Sequence, residues 1–196
     1  MRYKVDVKES FERSLLFWLD RFIKSKLTSL SNRHVEENAT LSAIIGSLNH
    51  GSESMDDLKN LAKEARNIGL IGINLFINPL EKFYHYLTLM KLGSLKEIDE
   101  ELLSEFLASQ TGSLSDATKK NYRIALLGLF KFIDKQNEDE SGSSYQFRIE
   151  LKNWADLVGA KARSYLHTCT KRNLPVFSKR SKRPSLSLMP KPKTGF

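Results

Sequence analysis

The sequence predicts an all-α protein, a helical bundle of about six helices, and three observations carry that prediction. Apolar residues recur every three or four positions through six separate stretches, no stretch keeps a sustained period of two, and Gly-, Ser- or Asn-containing breakers part the stretches. With 196 residues, 40% of them hydrophobic, the chain can bury a core without covalent help. Its single cysteine, Cys169, excludes an internal disulfide framework and any cysteine-rich zinc site, and fits a reducing compartment.

The first helix is predicted over Phe11 to Leu27, where Leu15, Leu16, Trp18, Leu19, Phe22 and Ile23 form one broad apolar face. Val35 to Leu48 and Met55 to Ile68 follow, parted by His50-Gly51-Ser52. Asp56 and Asp57 open the third helix, and Lys63 and Arg66 lie near its end, as the helix dipole prefers. Gly69 and Gly72 then bracket a short apolar turn. Asn74 to Met90 reads as the fourth helix, with Pro79 expected near its first turn, where a missing N–H is harmless. Asp99 to Ser109 is the fifth. Gly112-Ser113 closes it, and Ser115 is the candidate N-cap of a sixth helix that runs to about Glu138. Tyr145 to Leu151 reads as a strand or an extended arm.

Charge is unevenly placed. Residues 153 to 196 hold ten Lys or Arg against one acid, Asp156, whereas the other 152 residues hold 21 basic and 22 acidic side chains. The formal net charge of +8 therefore belongs to the tail, and DNA binding by the body has to be argued from local placement. Four of the five prolines (Pro175, Pro184, Pro190, Pro192) also fall in the tail, whose last residues keep no helical or strand period; a disordered basic C-terminal tail is expected. Leu15 to Ile23 is broken by Asp20 and Arg21 and is too short to cross a membrane, and no signal-peptide cleavage site follows it. The expected location is cytoplasmic. No metal or cofactor motif is evident.

The sixth helix carries most of the functional information. Tyr122, Ala125, Leu126, Leu129, Phe130, Phe132 and Ile133 share one apolar sector, and Lys119, Lys120, Arg123, Lys131 and Lys135 are expected opposite it, interrupted by Ile124 and Leu127. Ser115 and Thr118 place hydroxyls beside the free N–H groups of the first turn, at the positive end of the dipole. Such an end suits a phosphate, with Lys119, Lys120 and Arg123 adding charge. Ordinary exposed lysines on an amphipathic helix explain the same pattern, so composition and spacing leave both readings open.

The string L-S-D-A-T-K-K-N-Y-R-I-A-L-L-G-L-F-K-F-I, residues 114 to 133, resembles the last large helix of the SAM-like core-binding domain in tyrosine recombinases of the phage-integrase family. The preceding I-D-E-E-L-L-S-E-F-L, residues 98 to 107, resembles the short helix before it. A-R-N-I-G-L-I-G-I-N, residues 65 to 74, and the helix with Pro79, Lys82 and Phe83 look like the single-recombinase Xer branch. The likeness covers about residues 11 to 153. It implies an N-terminal helical extension over 1–72, a SAM-like core-binding domain over 73–152 and the tail over 153–196. It further implies a clamp on double-stranded DNA at a Xer-type recombination site. Ser115, Thr118, Lys119, Lys120 and Arg123 would contact phosphates or groove edges, with Asn74 and Lys82 as weaker candidates from the fourth helix.

Family members cut DNA through a tyrosine assisted by arginines, a lysine and histidines. Here Thr111-Gly112 continues as Ser113-Leu114 rather than as Thr-Gly-x-Arg-x-x-Glu, and none of His34, His50, His85 or His167 opens a His-x-x-Arg motif. The chain is thus expected to be no enzyme, truncated before the catalytic domain, with self-association on DNA weakened accordingly. Where the resemblance stops, one permitted codon set for Ser164 to Leu174, read two nucleotides later, encodes Leu-Pro-Thr-His-Leu-His-Lys-Glu-Glu-Phe, close to the family's catalytic-domain start. A frameshifted gene is the expectation, to be tested on the nucleotide sequence. Two other functions stay open: a helical protein-interaction module docking a partner through Ile124 and Leu127, and a non-specific nucleic-acid binder working through Lys179-Arg180-Ser181-Lys182-Arg183.

Overall fold

The computed structural model describes residues 2–31, 38–110, 113–138 and 142–151. Among them are six α-helices: α1 (Phe11–Ser31), α2 (Asn38–His50), α3 (Met55–Asn67), α4 (Asn74–Leu89), α5 (Glu100–Gln110) and α6 (Asp116–Gln136). Short 3-10 turns at Ile71–Ile73 and Leu95–Glu97 join α3 to α4 and α4 to α5. The all-α prediction holds. Among the described residues the only β-bridge is Tyr3 with Asn137, which ties the N-terminal segment to the end of α6. Residues 153–196, and the disorder expected there, lie outside the described residues, as do 35–37 of the predicted second helix.

Local chemistry explains where helices begin. Ser54 and Asp57 form a reciprocal capping box at α3, and Ser94 and Glu97 do the same at the second 3-10 turn. The Asp99 carboxylate accepts from the Leu102 N–H at 2.8 Å and so opens α5. Pro79 differs from expectation: α4 starts at Asn74, so the proline is its sixth residue, beyond the first turn where a missing N–H is harmless. Its ring is buried, and filling a core position offsets the hydrogen bond lost.

One apolar cluster joins all six helices and the segment after α6. Its largest fully buried side chains include Trp18, Phe22, Phe83 and Phe106. Phe22 of α1 meets Phe76 of α4 and Phe132 of α6 edge-on, at centroid separations of 5.9 and 5.6 Å, so the cluster runs continuously across residues 72 and 73. α4 packs most extensively against α6, and Phe83 lies 6.1 Å from Phe130. The close approach of α1 and α6 depends on Gly128, where a β-carbon would stand 3.3 Å from the Phe22 ring. One turn earlier on α1, the indole N–H of Trp18 donates to the Val5 carbonyl at 2.8 Å. That bond satisfies a fully buried donor and pins the N-terminal segment to the core.

Asp20, read in the sequence as a break in an apolar run, is buried. Its carboxylate accepts from the Ser52 N–H at 2.8 Å and the Ser52 hydroxyl at 2.6 Å, and so anchors the turn between α2 and α3 on α1. Gly51 makes that turn with φ +91°, a conformation L side chains rarely adopt. Burial raises the Asp20 pKa above 3.8, against the lowering effect of the two Ser52 bonds and Arg21.

Candidate nucleic-acid interface

The first turn of α6 forms as the sequence predicted. Ser115 is extended (φ −65°, ψ 154°), and its Oγ accepts from the Thr118 N–H at 3.3 Å. The same oxygen lies 2.9 Å from Thr118 Oγ1, so the two hydroxyls are held as a pair. Ser115 is exposed and Thr118 half-buried, beside the positive end of a helix of 21 residues.

Behind them the cations divide. Lys120 is exposed, as are Lys131 and Lys135 farther along α6. Lys119 departs from expectation: it is only 6% exposed rather than part of the open basic side. The reason is register, since 119 precedes Tyr122 and Leu126 by one and two turns and so continues the buried stripe. Its ammonium lies 3.7 Å from the Asp116 carboxylate, which is itself open to solvent. A long lysine stem lying along the core with its charge near the rim is the usual way to bury this residue.

Lys82 reaches the same region from α4. It is exposed, with its ammonium 5.8 Å from the centroid of the Tyr122 ring. Asn74 is half-buried at the start of α4, about 12 Å farther back along that helix, near where Phe76 meets α1. The fold therefore gathers Ser115, Thr118, Lys119, Lys120, Arg123 and Lys82 and leaves Asn74 apart. Ile124 is 51% exposed, whereas Leu127 packs against the core, which shrinks the apolar patch the sequence suggested for a partner helix.

Arg123 has a more particular setting. Its Nη2 donates to the main-chain oxygens of Leu151 and Glu150, at 3.1 and 3.4 Å, and its Nε is buried without an acceptor. These carbonyls end a segment that the sequence left as strand or arm; it is an arm, with no strand assigned along it. Phe147, Ile149 and Leu151 face the core while Gln146, Arg148 and Glu150 face out. The arm runs back along α6. Asn137 donates to the Tyr145 carbonyl and accepts from its N–H, the Asp134 carboxylate accepts from the Phe147 N–H at 3.0 Å, and Phe147 lies 4.9 Å from Phe130. The arm is not extended throughout, since Arg148 and Leu151 take φ +51°, but its bonds to Asn137 at Tyr145 and to Arg123 at Leu151 hold it beside α6 at both ends. Burial raises the Asp134 pKa above 3.8, partly countered by its bond to Phe147.

Sequence reasoning missed these arm anchors because each acts on main-chain groups eight to 28 residues away. It also missed a cleft between α1 and α6 lined by Arg21, Lys24, Ser25, Thr28, Ser29, Phe132 and Gln136. Arg21 there stacks on Tyr3 and Phe17. Among the described residues, no group of three His, Cys, Asp or Glu side chains is placed to hold a metal, and no helix is long and apolar enough to cross a membrane.

Free N–H groups, paired hydroxyls and nearby cations at a helix end are chemistry suited to an anion such as phosphate. The chain belongs to the phage integrase SAM-like domain family, whose model matches residues 6–137. It is similar to the tyrosine recombinase XerH of Campylobacter jejuni, 48% identical over 177 residues that make up 90% of this chain and 50% of the relative. It is also similar to XerH of Helicobacter pylori, 46% identical over 160 residues, 78% of this chain and 44% of the relative. The chain thus spans about half the length of the curated relatives it matches. Two solved structures agree. XerH bound to difH substrate in a pre-cleavage complex matches with a TM-score of 0.75 at 46% identity, covering 78% of this chain and 46% of that one. XerH on a palindromic difH substrate in a post-cleavage complex matches with a TM-score of 0.74 at 47% identity, covering 78% and 43%.

Proposed function

We propose that residues 1–152 are the DNA-binding clamp of a Xer-type site-specific tyrosine recombinase, acting on double-stranded DNA in the cytoplasm. Within it, residues 73–152 would present the DNA-binding surface and 1–72 would brace it, since α1 packs on both α4 and α6. The observation that carries this reading is the likeness, at 46–47% identity over 78% of the chain, to XerH structures that hold difH DNA. Local chemistry supports it: Ser115 and Lys120 lie open at one helix end with the half-buried Thr118 hydroxyl paired to Ser115, Lys82 joins them from α4, and Lys119 and Arg123 stand behind.

Strand cleavage is no part of the proposed role of these residues, which carry neither the Thr-Gly-x-Arg-x-x-Glu nor the His-x-x-Arg pattern. Intact relatives would join cleavage to binding in recombination or chromosome-dimer resolution. The test is an anisotropy titration of the full chain against a labelled difH-type duplex at several salt concentrations. Affinity should fall steeply with salt, and Lys120→Ala should weaken binding and flatten the salt slope by about 0.9. Salt-independent binding, or an unchanged Lys120→Ala titration, would remove this surface from the interface.

A further inference from the structure

The Arg123 guanidinium is committed in the free chain. Its Nη2 holds the oxygens that end the arm, and its Nε is buried without an acceptor. A two-pronged grip on a phosphate uses a pair of guanidinium nitrogens, and here every such pair includes Nη2 or Nε. The arm runs back along α6, so its end arrives at Arg123, about two turns from Ser115 and beside Lys120. A duplex laid on the first turn of α6 meets the end of the arm before any other part of it.

We infer that Arg123 is an exchangeable latch: it holds residues 150–151 in the free chain and turns to a duplex phosphate when they lift, so duplex binding and arm docking oppose each other. The inference rests on the DNA-binding reading above. The docked state is easy to leave, because a buried Nε–H without an acceptor penalises it, while the Nη2 bonds, one exposed at Glu150 and one part-buried at Leu151, contribute modestly. The rest of the arm has its own anchors in Asn137, Asp134 and Phe130, so only its last residues need to move. Arg123 is thereby a positioning residue for the chain leaving α6 as well as a phosphate ligand.

Residue-resolved amide exchange on the full chain, with and without saturating difH-type duplex, reads this directly. The Glu150 N–H, held by the Glu100 carboxylate, should exchange several-fold faster with duplex bound, whereas the N–H groups of Tyr145 and Phe147 stay protected. Leu151→Ala and Ile149→Ala loosen the arm without changing charge. Each should tighten duplex binding about 5-fold, the lower end of usual coupling between sites, and the gain should vanish in an Arg123→Ala background. Arg123→Lys, which keeps the charge and loses the fork, should speed Glu150 exchange without any duplex. If the duplex binds while Glu150 exchange is unchanged or slower, or if the loosened arms bind no tighter or keep their gain without Arg123, the latch is wrong. Failure of the wild-type chain to bind duplex at low salt shows in the titration itself and overturns the DNA-binding reading together with the latch.

Discussion

Asn137→Ala should cost the fold about 2–3 kcal/mol. The side chain is 1% exposed and makes three bonds: Nδ2 donates to Ile133 O at 2.8 Å and to Tyr145 O at 2.9 Å, and Oδ1 accepts from Tyr145 N–H at 2.7 Å. Each such bond contributes about 0.5–1.5 kcal/mol net, and truncation strands main-chain partners that are only partly reachable by water. Ile133 O loses least, because it also accepts the Asn137 backbone N–H at 2.8 Å. Urea unfolding followed by circular dichroism measures the loss, and at this chain length it corresponds to a melting temperature lower by about 5–10 °C. Amide exchange at Tyr145 and Phe147 should rise before exchange in α6 does. Asn137→Asp keeps the acceptor for the Tyr145 N–H and loses the donor, so it should fall between wild type and alanine. A loss below about 0.5 kcal/mol, the range of an ordinary surface change, would mean that the arm is not anchored there.

Lys120→Ala combined with Lys82→Ala should reduce the salt slope of duplex binding by about 1.8, twice the single effect, if both ammonium groups meet phosphates; a slope equal to that of Lys120→Ala alone takes Lys82 out of the site. Gly128→Leu should destabilise the chain by about 2–4 kcal/mol in a urea titration, since the new side chain drives into the fully buried Phe22 ring; a neutral result would show that α1 and α6 are farther apart than described. Because burial raises the Asp20 pKa, the folded chain holds that proton more tightly than the unfolded chain. The resulting stability is fully present below pH 3.8 and is lost as pH rises through the folded value. Unfolding free energies of wild type minus Asp20→Asn should therefore shrink as pH rises from about 4 through the folded value, and a gap independent of pH would contradict the burial. Gly51→Ala should cost about 1–2 kcal/mol by thermal melt, the strain of a left-handed residue, with no change in duplex affinity.

Six helices, the N-cap at Ser115 and the apolar stripe through Tyr122, Leu126 and Ile133 were all legible in the sequence, because period and capping depend on residues within a few positions of one another. The residue order from 114 to 133, by its resemblance to known recombinases, likewise pointed to the family that the match over residues 6–137 establishes. Lys119 was not legible: a lysine on the border of a helical wheel falls inside or outside according to what packs against it, and here the border lies inside. Nor was the setting of Arg123, whose partners sit 27 and 28 residues away. The sequence by itself determined the all-α class and the order of the helices, since local chemistry specifies both, and its resemblance to known recombinases pointed to the family. Only the tertiary structure decided which cations face solvent, that Asp20 is an internal anchor, and that the arm returns along α6 to Arg123, because each depends on a side chain meeting main-chain groups remote in sequence.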